Sequence, residues 1–501
     1  MRVAGIPLDR IAGTNTSVFS GTFGRDYTDR LVKDPEKLPA SYFTGNGAAM
    51  YSNRISHFFD LRGQSVTTDT GCSGSMTALH LASNTIRTGE SDMSIVAVAQ
   101  LILNPDLHIA LSNIGVLGAQ GKCLSWDQRA DGYGRGEGSA VVVLKRLDLA
   151  LKDGDHIHAI IRESAMNQDG KTSTITSPSM EAQEALIRDC YSRAGLNLSD
   201  TTYVEAHMTG TPTGDPIEAE VLAKTFGVSR TPGDFVYVSS VKPNIGHTEP
   251  VSGLASVIKT ALVLQYKQIP PHLNYEVPNS AIHMNDWNLK LPLSTVQWPE
   301  GAPLRASVNN FGYGGTNVHL IMEANPASKD IAHVNGFEAI NGAPLAGKTH
   351  VQPSPSFVFV TSSRHLAGAF ETKKKLAKHI RDSTAEQKNP RAIDLAYTLA
   401  ERKTRFQWVT AVKATSIEEL AEKLDEPHRK PTRVSANPRL GFVFNGQGGQ
   451  WHGMGRELIS RYSVFESKIR LCDQLLTQRY NANWSLWGEW QGLLTLEVRE
   501  Y

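Results

Sequence analysis

The residues most able to do chemistry fall in four short runs, each where an apolar stretch gives way to glycine and hydroxyl residues. The first is Asp69-Thr70-Gly71-Cys72-Ser73-Gly74-Ser75, followed by the helical run Met76-Thr77-Ala78-Leu79-His80-Leu81-Ala82. It puts a thiol where a strand turns into a helix. Free backbone N–H groups and the helix dipole are expected to favour a thiolate there, and Gly71 and Gly74 leave room for a substrate. An average cysteine is a small buried hydrophobe, and Cys123, Cys190 and Cys472, which lack such flanks, are read that way. The second run, Val204 to Pro216, ends a strand at His207 and continues through Thr209 and Thr211, with Asp215 expected as N-cap and Pro216 as first helical residue. In the third, Ser239 to His247, Lys242, Asn244 and His247 follow another strand. A lone histidine is more often structural, but a cysteine and two histidines at equivalent strand ends point to one site. The fourth run, Asn309-Asn310-Phe311-Gly312-Tyr313-Gly314-Gly315-Thr316-Asn317, could present backbone N–H groups to an anionic oxygen or simply close a hairpin.

These side chains need strands to carry them. Between Ser17 and Met322, short β-branched runs alternate with helical periodicity, which is the pattern of an α/β domain. Strands are expected at Ser17–Phe23, Ser65–Asp69, Met93–Ala99, Ser139–Lys145, His156–Glu163, Tyr203–Ala206, Val236–Ser240, Ala306–Asn309 and Val318–Met322. Helices are expected at Ser75–Thr88, Met180–Ala194, Pro216–Phe226 and Val251–Tyr266. Two halves, each with a strand running into a helix beside a reactive side chain, suggest an internal duplication. A Gly, Ala and Pro-containing stretch after Glu323 reads as a linker, and a smaller α+β unit follows, with strands Phe357–Thr361 and Trp408–Ala414 and helices Ala367–Arg381 and Ser416–Leu424. A final strand, Gly441–Phe444, is expected to lead through Gly446-Gln447-Gly448-Gly449 into a helix near Gly455–Tyr462.

Composition narrows the function. Fifty-one basic against fifty acidic residues leave a net charge of +1 over 501 residues, so neither a nucleic-acid footprint nor a polybasic membrane anchor is indicated. Four scattered cysteines give no disulfide framework or metal site, and no run approaches the roughly eighteen apolar residues that span a bilayer. A cytoplasmic protein is expected. Walker, full G-x-G-x-x-G, H-E-x-x-H and G-x-S-x-G motifs are absent from the sequence.

Together and in this order, the four runs resemble the ketosynthase (β-ketoacyl synthase) region of fungal highly reducing type I polyketide synthases. Trp126-Asp127-Gln128-Arg129-Ala130-Asp131-Gly132-Tyr133-Gly134-Arg135-Gly136-Glu137-Gly138 and Asn167-Gln168-Asp169-Gly170-Lys171 extend the likeness. The resemblance implies a thiolase-like five-layer α-β-α-β-α ketosynthase fold over residues 1–324, a linker over 325–355 and an adaptor over 356–439. Residues 440–501, with Phe442-Val443-Phe444-Asn445-Gly446-Gln447-Gly448-Gly449, resemble the start of an acyltransferase domain. It further implies decarboxylative Claisen condensation, with Cys72 carrying the acyl chain and His207 and His247 serving the malonyl unit. Lys242 and Asn244 would support His247, and the backbone N–H groups of Cys72 and Tyr313 would hold an oxyanion. Phe311 or Tyr313 would gate the acyl tunnel, and Thr209 and Thr211 would contact pantetheine. No cofactor is bound directly: phosphopantetheine arrives on an acyl carrier domain supplied in trans, and the enzyme is expected to be a homodimer.

The sequence departs from that pattern in three places. Met208 stands where the family has glycine, so a backbone restriction and added bulk are expected beside His207. Met1 falls after the family's opening strand, so a central strand is expected to be missing, exposing apolar partners and an unpaired edge. The acyltransferase-like part lacks its nucleophile elbow. A second reading is therefore a non-catalytic remnant that keeps only a dimerisation role. A stand-alone fatty-acid condensing enzyme or a thiolase relative fits less well, because the adaptor follows and neither Cys123 nor Cys190 sits in a second catalytic loop.

Overall fold

Central strands covered on both faces are buried along their length, and those starting at Ser17, Arg305 and Thr316 are buried almost throughout although Ser, Asn and His alternate with their apolar residues. The computed structural model describes residues 4–228, 230, 231, 233–325, 356–385, 390–435, 441–444, 446, 448, 449, 451 and 454–488. Most of the expected linker, part of the Gly446–Gly449 cluster and the extreme termini lie outside them. In chain order the strands are β1 (Ser17–Thr22), β2 (Ser65–Asp69), β3 (Met93–Gln100), β4 (Gly138–Lys145), β5 (Ile160–Gln168), β6 (Tyr203–Glu205), β7 (Val236–Ser239), β8 (Gln268–Ile269), β9 (Leu289–Lys290), β10 (Val296–Gln297), β11 (Arg305–Phe311), β12 (Thr316–Glu323), β13 (Phe357–Ser363), β14 (Trp408–Ala414) and β15 (Thr432–Arg433).

Two sheets carry the site. The first has the order β2-β1-β3-β4 and the second β5-β12-β11-β6-β7-β9. In the first, β1 runs parallel to β2 and β3, and β3 pairs antiparallel with β4. In the second, β6 runs parallel to β7 and β11, and β11 pairs antiparallel with β12. The same order with the same senses is the expected duplication. Between the sheets lie the helices Gly74–Arg87 and Ser252–Tyr266, whose Met76, Leu79, Leu254 and Leu264 join Phe19, Val96, Val308 and Leu320 in one core. Being covered on both sides, these two helices are buried over most of their faces. The helix Ala49–Phe59 packs on β1 and β2, and Met180–Ala194 on β5 and β12, completing five layers of α-β-α-β-α.

The duplication also corrects the expectation of a missing central strand. Every interior position of the first sheet is occupied. What differs is the two edges: β12 has β5 and β7 has the short β9 on their far sides, whereas among the described residues β4 and β2 have no strand there. The apolar exposure expected from a missing strand occurs at the β4 edge. Val141 is exposed, and Ser139 and Ala140 line an open cavity of about 550 Å³ with Ile258, Leu262 and Tyr266 of the Ser252–Tyr266 helix.

Other expectations need revision. The strand expected at His156–Glu163 is Ile160–Gln168, because pairing with β12 runs from Glu323 opposite Ile160 to Thr316 opposite Gln168. The helix expected at Pro216–Phe226 starts at Gly214, stops at Leu222 and ends in a wider turn, Ala223–Gly227. The helices Asp26–Val32, Ala49–Phe59, Asp106–Asn113 and Ala392–Glu401 were not anticipated. Gly441–Phe444 is not a strand, because no described strand pairs with it and Val443 and Phe444 stand almost fully exposed. The helix expected near it is present at Arg456–Arg461.

The smaller α+β unit has the sheet β13-β14-β15 covered by the helices Leu366–Ala385, Ala392–Glu401 and Ile417–Asp425, with Phe359, Ile380, Val412 and Leu420 at its core. It is joined to the first half by Leu8 N–H to Thr404 Oγ1 (3.0 Å) and by Arg402 to the Asp155 carboxylate (2.6 Å). No helix among the described residues is long and apolar enough to cross a membrane.

Among the described residues the outward amides of β4 have no strand acceptor, so peptides covering Gly138–Lys145 are expected to exchange hydrogen faster than those covering Thr316–Glu323 in mass-detected exchange. Equal protection of the two would contradict the edge assignment.

Candidate active site

Open α/β sheets gather chemistry at the carboxyl ends of their parallel strands. Here β2 leads to Cys72, β7 to His247 and β6 to His207. Because β2 and β7 hold corresponding places in the two sheets, Cys72 and His247 sit at equivalent strand-to-helix junctions. The tight turn Gly71–Ser73 is held by Gly71 N–H to Asp69 Oδ1 (3.2 Å) and Ser73 Oγ to the Thr70 carbonyl (2.9 Å). The helix Gly74–Arg87 then begins directly.

The expected resting thiolate is not what this geometry favours. Burial, with the Glu249 carboxylate second, pushes the Cys72 thiol up to about 11. The Tyr313 backbone N–H, Lys242 and the helix-start N–H of Cys72 pull the other way without prevailing. Desolvation of an anion outweighs a few aligned N–H dipoles.

The two imidazoles lie 5.7 Å apart, ring centre to ring centre and nearly perpendicular. Burial and the nearby Lys242 hold both well below the ordinary histidine range, so both are neutral. Their tautomers follow from their neighbours. The Glu249 backbone N–H donates to His247 Nδ1 (3.3 Å), and the Asn310 amide nitrogen lies 3.3 Å from His207 Nδ1. Each Nδ1 therefore accepts, and each Nε2 carries the proton. His247 Nε2 is buried without a hydrogen-bond partner among the described residues, as is Lys242 Nζ. Asn310 also donates to Ser252 Oγ (3.2 Å), which donates to the Cys72 carbonyl (3.2 Å), so side chains link the cysteine turn to His207.

The other expected residues spread around this centre. Lys242 is buried, whereas Asn244 is exposed and uses its backbone N–H in a turn with Val241. His247 is instead fixed by its N–H to the Gly134 carbonyl (2.7 Å), by its carbonyl from Gly136 N–H (2.8 Å) and by the Tyr133 ring. Thr209 is buried and donates to Thr211 Oγ1 (3.3 Å). Phe311 is buried against the His207 ring, while Tyr313 is 54 % exposed at the tip of the β11–β12 hairpin. Cys123 and Cys190 are buried and Cys472 exposed. Among the described residues no group of three or more His, Cys, Asp or Glu could hold a metal ion.

Sequence reasoning missed the buried acids that shape these loops. Glu218 accepts the N–H groups of His207 (2.8 Å) and Met208 (2.7 Å) and the Asn309 amide (2.9 Å). Glu205 takes Val241 N–H (2.6 Å) and pairs with Lys259 (2.8 Å). Glu249 is gripped by Arg135 through two nitrogens (2.7 and 3.0 Å) and by Gln100 (2.7 Å). The available signal was an acid inside otherwise apolar runs, as in Tyr203-Val204-Glu205-Ala206. Asp215 is likewise not a helix N-cap: its Oδ1 takes Gly210 and Thr211 N–H and its Oδ2 takes Trp126 N–H.

Met208 does not carry the expected restriction. It is absent from the positive-φ residues, and its side chain is buried in the second core with Trp126, Ala206 and Phe311. Its bulk is absorbed where a glycine would leave a hole.

Removing Glu218 strands three buried donors at about 1 kcal/mol or more each. Glu218→Ala is therefore expected to destabilise the chain by roughly 3 kcal/mol in urea unfolding, and a loss below about 1 kcal/mol would contradict this role. Because the Cys72 thiol ionises near 11, its alkylation by iodoacetamide should rise about tenfold per pH unit from 7 to 10. A plateau near pH 8 would show a resting thiolate instead.

Residues 1–150 match the family model "Beta-ketoacyl synthase, N-terminal domain", residues 158–276 "Beta-ketoacyl synthase, C-terminal domain", and residues 278–408 "Ketoacyl-synthetase C-terminal extension". The chain is 74% identical over 487 residues, 97% of its length, to highly reducing polyketide synthase pks5 of Leptosphaeria maculans, and 49% identical over 490 residues, again 97%, to highly reducing polyketide synthase azaB of Aspergillus niger. It spans about a fifth of the length of these relatives, 19% in each case. Among solved structures it resembles the ketosynthase from module 6 of the bacillaene synthase of Bacillus subtilis, with TM-score 0.73 and 28% identity over 99% of this chain and 80% of that one. It also resembles the oxazolomycin ketosynthase domain OzmH KS7 of Streptomyces albus, with TM-score 0.72 and 30% identity over 85% of this chain and 70% of that one. The chain belongs to the β-ketoacyl synthase family, in the ketosynthase region of highly reducing polyketide synthases.

Proposed function

We propose that this chain catalyses decarboxylative condensation of an acyl group held on Cys72 with a malonyl unit. The observation that carries the reading is a buried thiol at the junction equivalent to that of a neutral imidazole whose Nε2–H has no protein acceptor among the described residues. Cys72 sulfur attacks the thioester of an acyl-pantetheine, and the proton leaving the thiol ends on the departing pantetheine sulfur. The backbone N–H groups of Cys72 and Tyr313, which already favour a negative sulfur, hold the tetrahedral oxyanion.

His207 and His247 then donate their Nε2 protons as hydrogen bonds to the malonyl thioester oxygen. Carbon dioxide leaves, the electron pair of the broken bond passes to the enolate, and those two donors stabilise its oxygen. The enolate carbon attacks the acyl carbonyl, the new carbon–carbon bond forms, and Cys72 departs as thiolate. Neutral imidazoles suit this role, since they stabilise a developing charge without transferring a proton. Burial, with the nearby Lys242 second, keeps both imidazoles neutral, and Asn244 belongs to the same turn as Lys242. Thr209 and Thr211 contact pantetheine, and Phe311 and Tyr313 border the acyl path.

Phosphopantetheine comes on an acyl carrier domain. The edge of β2, which has no strand beyond it among the described residues and carries the partly exposed Val66, supports a homodimer of this chain. Domain boundaries at 324, 355 and 439, with an adaptor and the beginning of an acyltransferase after the ketosynthase, accord with this reading.

The deciding experiment is intact-mass analysis after incubation with an acyl-pantetheine thioester. Wild type should gain one acyl group and Cys72→Ala none. His247→Ala should still be acylated but release carbon dioxide from malonyl-pantetheine at least a hundredfold more slowly. A folded wild type that takes up no acyl group would instead favour the non-catalytic remnant.

A further inference from the structure

The two ends of a side-chain amide are alike in shape, so packing alone does not decide which of them faces a neighbour. For Asn310 the decision comes from the cysteine turn. The Cys72 backbone carbonyl has no proton to give, so the Ser252 hydroxyl, 3.2 Å away, must donate to it. With its one proton committed, Ser252 Oγ can only accept from Asn310, also at 3.2 Å, and this turns the amide nitrogen of Asn310 towards it. The same nitrogen lies 3.3 Å from His207 Nδ1, so Nδ1 is left bare and the imidazole proton sits on Nε2. Ser252 and Asn310 are each 1 % exposed, so bulk water does not compete for these bonds.

Gly253 makes the approach possible, because a Cβ there would lie 2.5 Å from Asn310 Oδ1 and 2.3 Å from Met76 Cγ. Oδ1 itself is buried without a hydrogen-bond partner among the described residues, so nothing on that side holds the amide in one orientation. A reversed amide would still reach Ser252 and His207, but it would take the hydroxyl proton from the Cys72 carbonyl and draw the imidazole proton to Nδ1. Nε2 would then offer a lone pair where a donor is needed.

We propose that Asn310, oriented by Ser252 and the Cys72 carbonyl, is a positioning residue that sets the tautomer of His207 and so makes its Nε2 a donor to the malonyl thioester oxygen. The inference rests on His207 being that donor in the proposed condensation, yet one of its two readouts is spectroscopic and needs no turnover. Asn310→Asp inverts the chain of donors. At low pH one proton is shared between the carboxyl group and Nδ1 while Nε2 keeps its own; once that shared proton is lost, the carboxylate draws the remaining one to Nδ1 and Nε2 is bare. Lys242 and His247 also face His207, and Glu218 holds its backbone N–H, and none of these is altered.

Wild type, Asn310→Asp and Ser252→Ala of the full chain are prepared with isotope-labelled histidine for nitrogen NMR, with His207→Ala assigning the signal. Carbon dioxide release from malonyl-pantetheine is followed in parallel between about pH 6 and 9. Wild type should show one tautomer, with Nδ1 bare. The ratio of Asn310→Asp to wild-type release should fall at least about tenfold as pH rises through that window, while Nδ1 acquires the proton. A constant ratio, or a wild-type signal with the proton on Nδ1, would overturn the proposal. Should Asn310→Asp fail to fold, Ser252→Ala decides: both tautomers should appear once the amide is released, and a single Nε2–H tautomer refutes the inference. A folded wild type that releases no carbon dioxide counts against the proposed condensation instead, and the spectra still decide whether Asn310 sets the tautomer.

Discussion

Buried carboxylates that accept backbone N–H groups hold this site in shape. Loops at strand ends cannot satisfy their own amides, and a buried amide without a partner is costly. Glu218 answers that need for His207 and Met208, Glu205 for Val241, and Asp215 for Trp126, Gly210 and Thr211. Each acid meets its own desolvation cost by several donors at once, as buried charges must. The tension is visible in Asp215, which burial pushes up to about 7 despite three N–H donors. The Glu249–Arg135 pair works in the same way beside His247, joining the loop of one half to the loop of the other. Remove these acids and the histidines have no defined direction.

Burial also sets the charge state of the reacting groups. The environment that raises the Cys72 thiol lowers both imidazoles, leaving a neutral triad at rest. Such a site gives up a standing thiolate in exchange for donors that are already oriented when charge develops. In a dry cavity those donors act more strongly than they would in water. Hydrogen bonds through Ser252 and Asn310 tie the cysteine turn to His207, so the two steps of the proposed reaction share one rigid frame.

The duplicated architecture explains why such a frame exists. Two sheets of the same order enclose two helices, and the strand-to-helix junctions of the halves place Cys72 and His247 under the influence of the same Lys242 and Glu249. The β11–β12 hairpin of the second half crosses onto the cysteine turn of the first, with Gly312 and Gly71 allowing the approach. The halves differ at the sheet edges, where among the described residues the first sheet ends one strand sooner than the second beyond β4 and again beyond β2.

Local chemistry was legible in the sequence because it is written locally. Period-two and helical apolar patterns gave β2, β14 and the Met180–Ala194 helix to the residue, and the glycine, hydroxyl and histidine runs marked Cys72, His207 and His247 as candidates, while the role expected of Tyr313 came from the family resemblance. Long-range facts were not legible. Strand β5 starts later than its own pattern suggests because β12 sets its register, and the apolar run Gly441–Phe444 forms no strand because no described strand pairs with it. Cys72 looked like a thiolate from its helix start alone, whereas tertiary burial and the distant Glu249 decided otherwise. Met208 looked disruptive beside His207, yet its side chain found a place in a core built from residues 126 to 321. The sequence by itself determined which groups could react and which elements carry them, since both depend on neighbours in the chain. Tertiary structure alone decided their protonation, tautomers and reach, because desolvation and hydrogen bonding are set by residues far away in sequence.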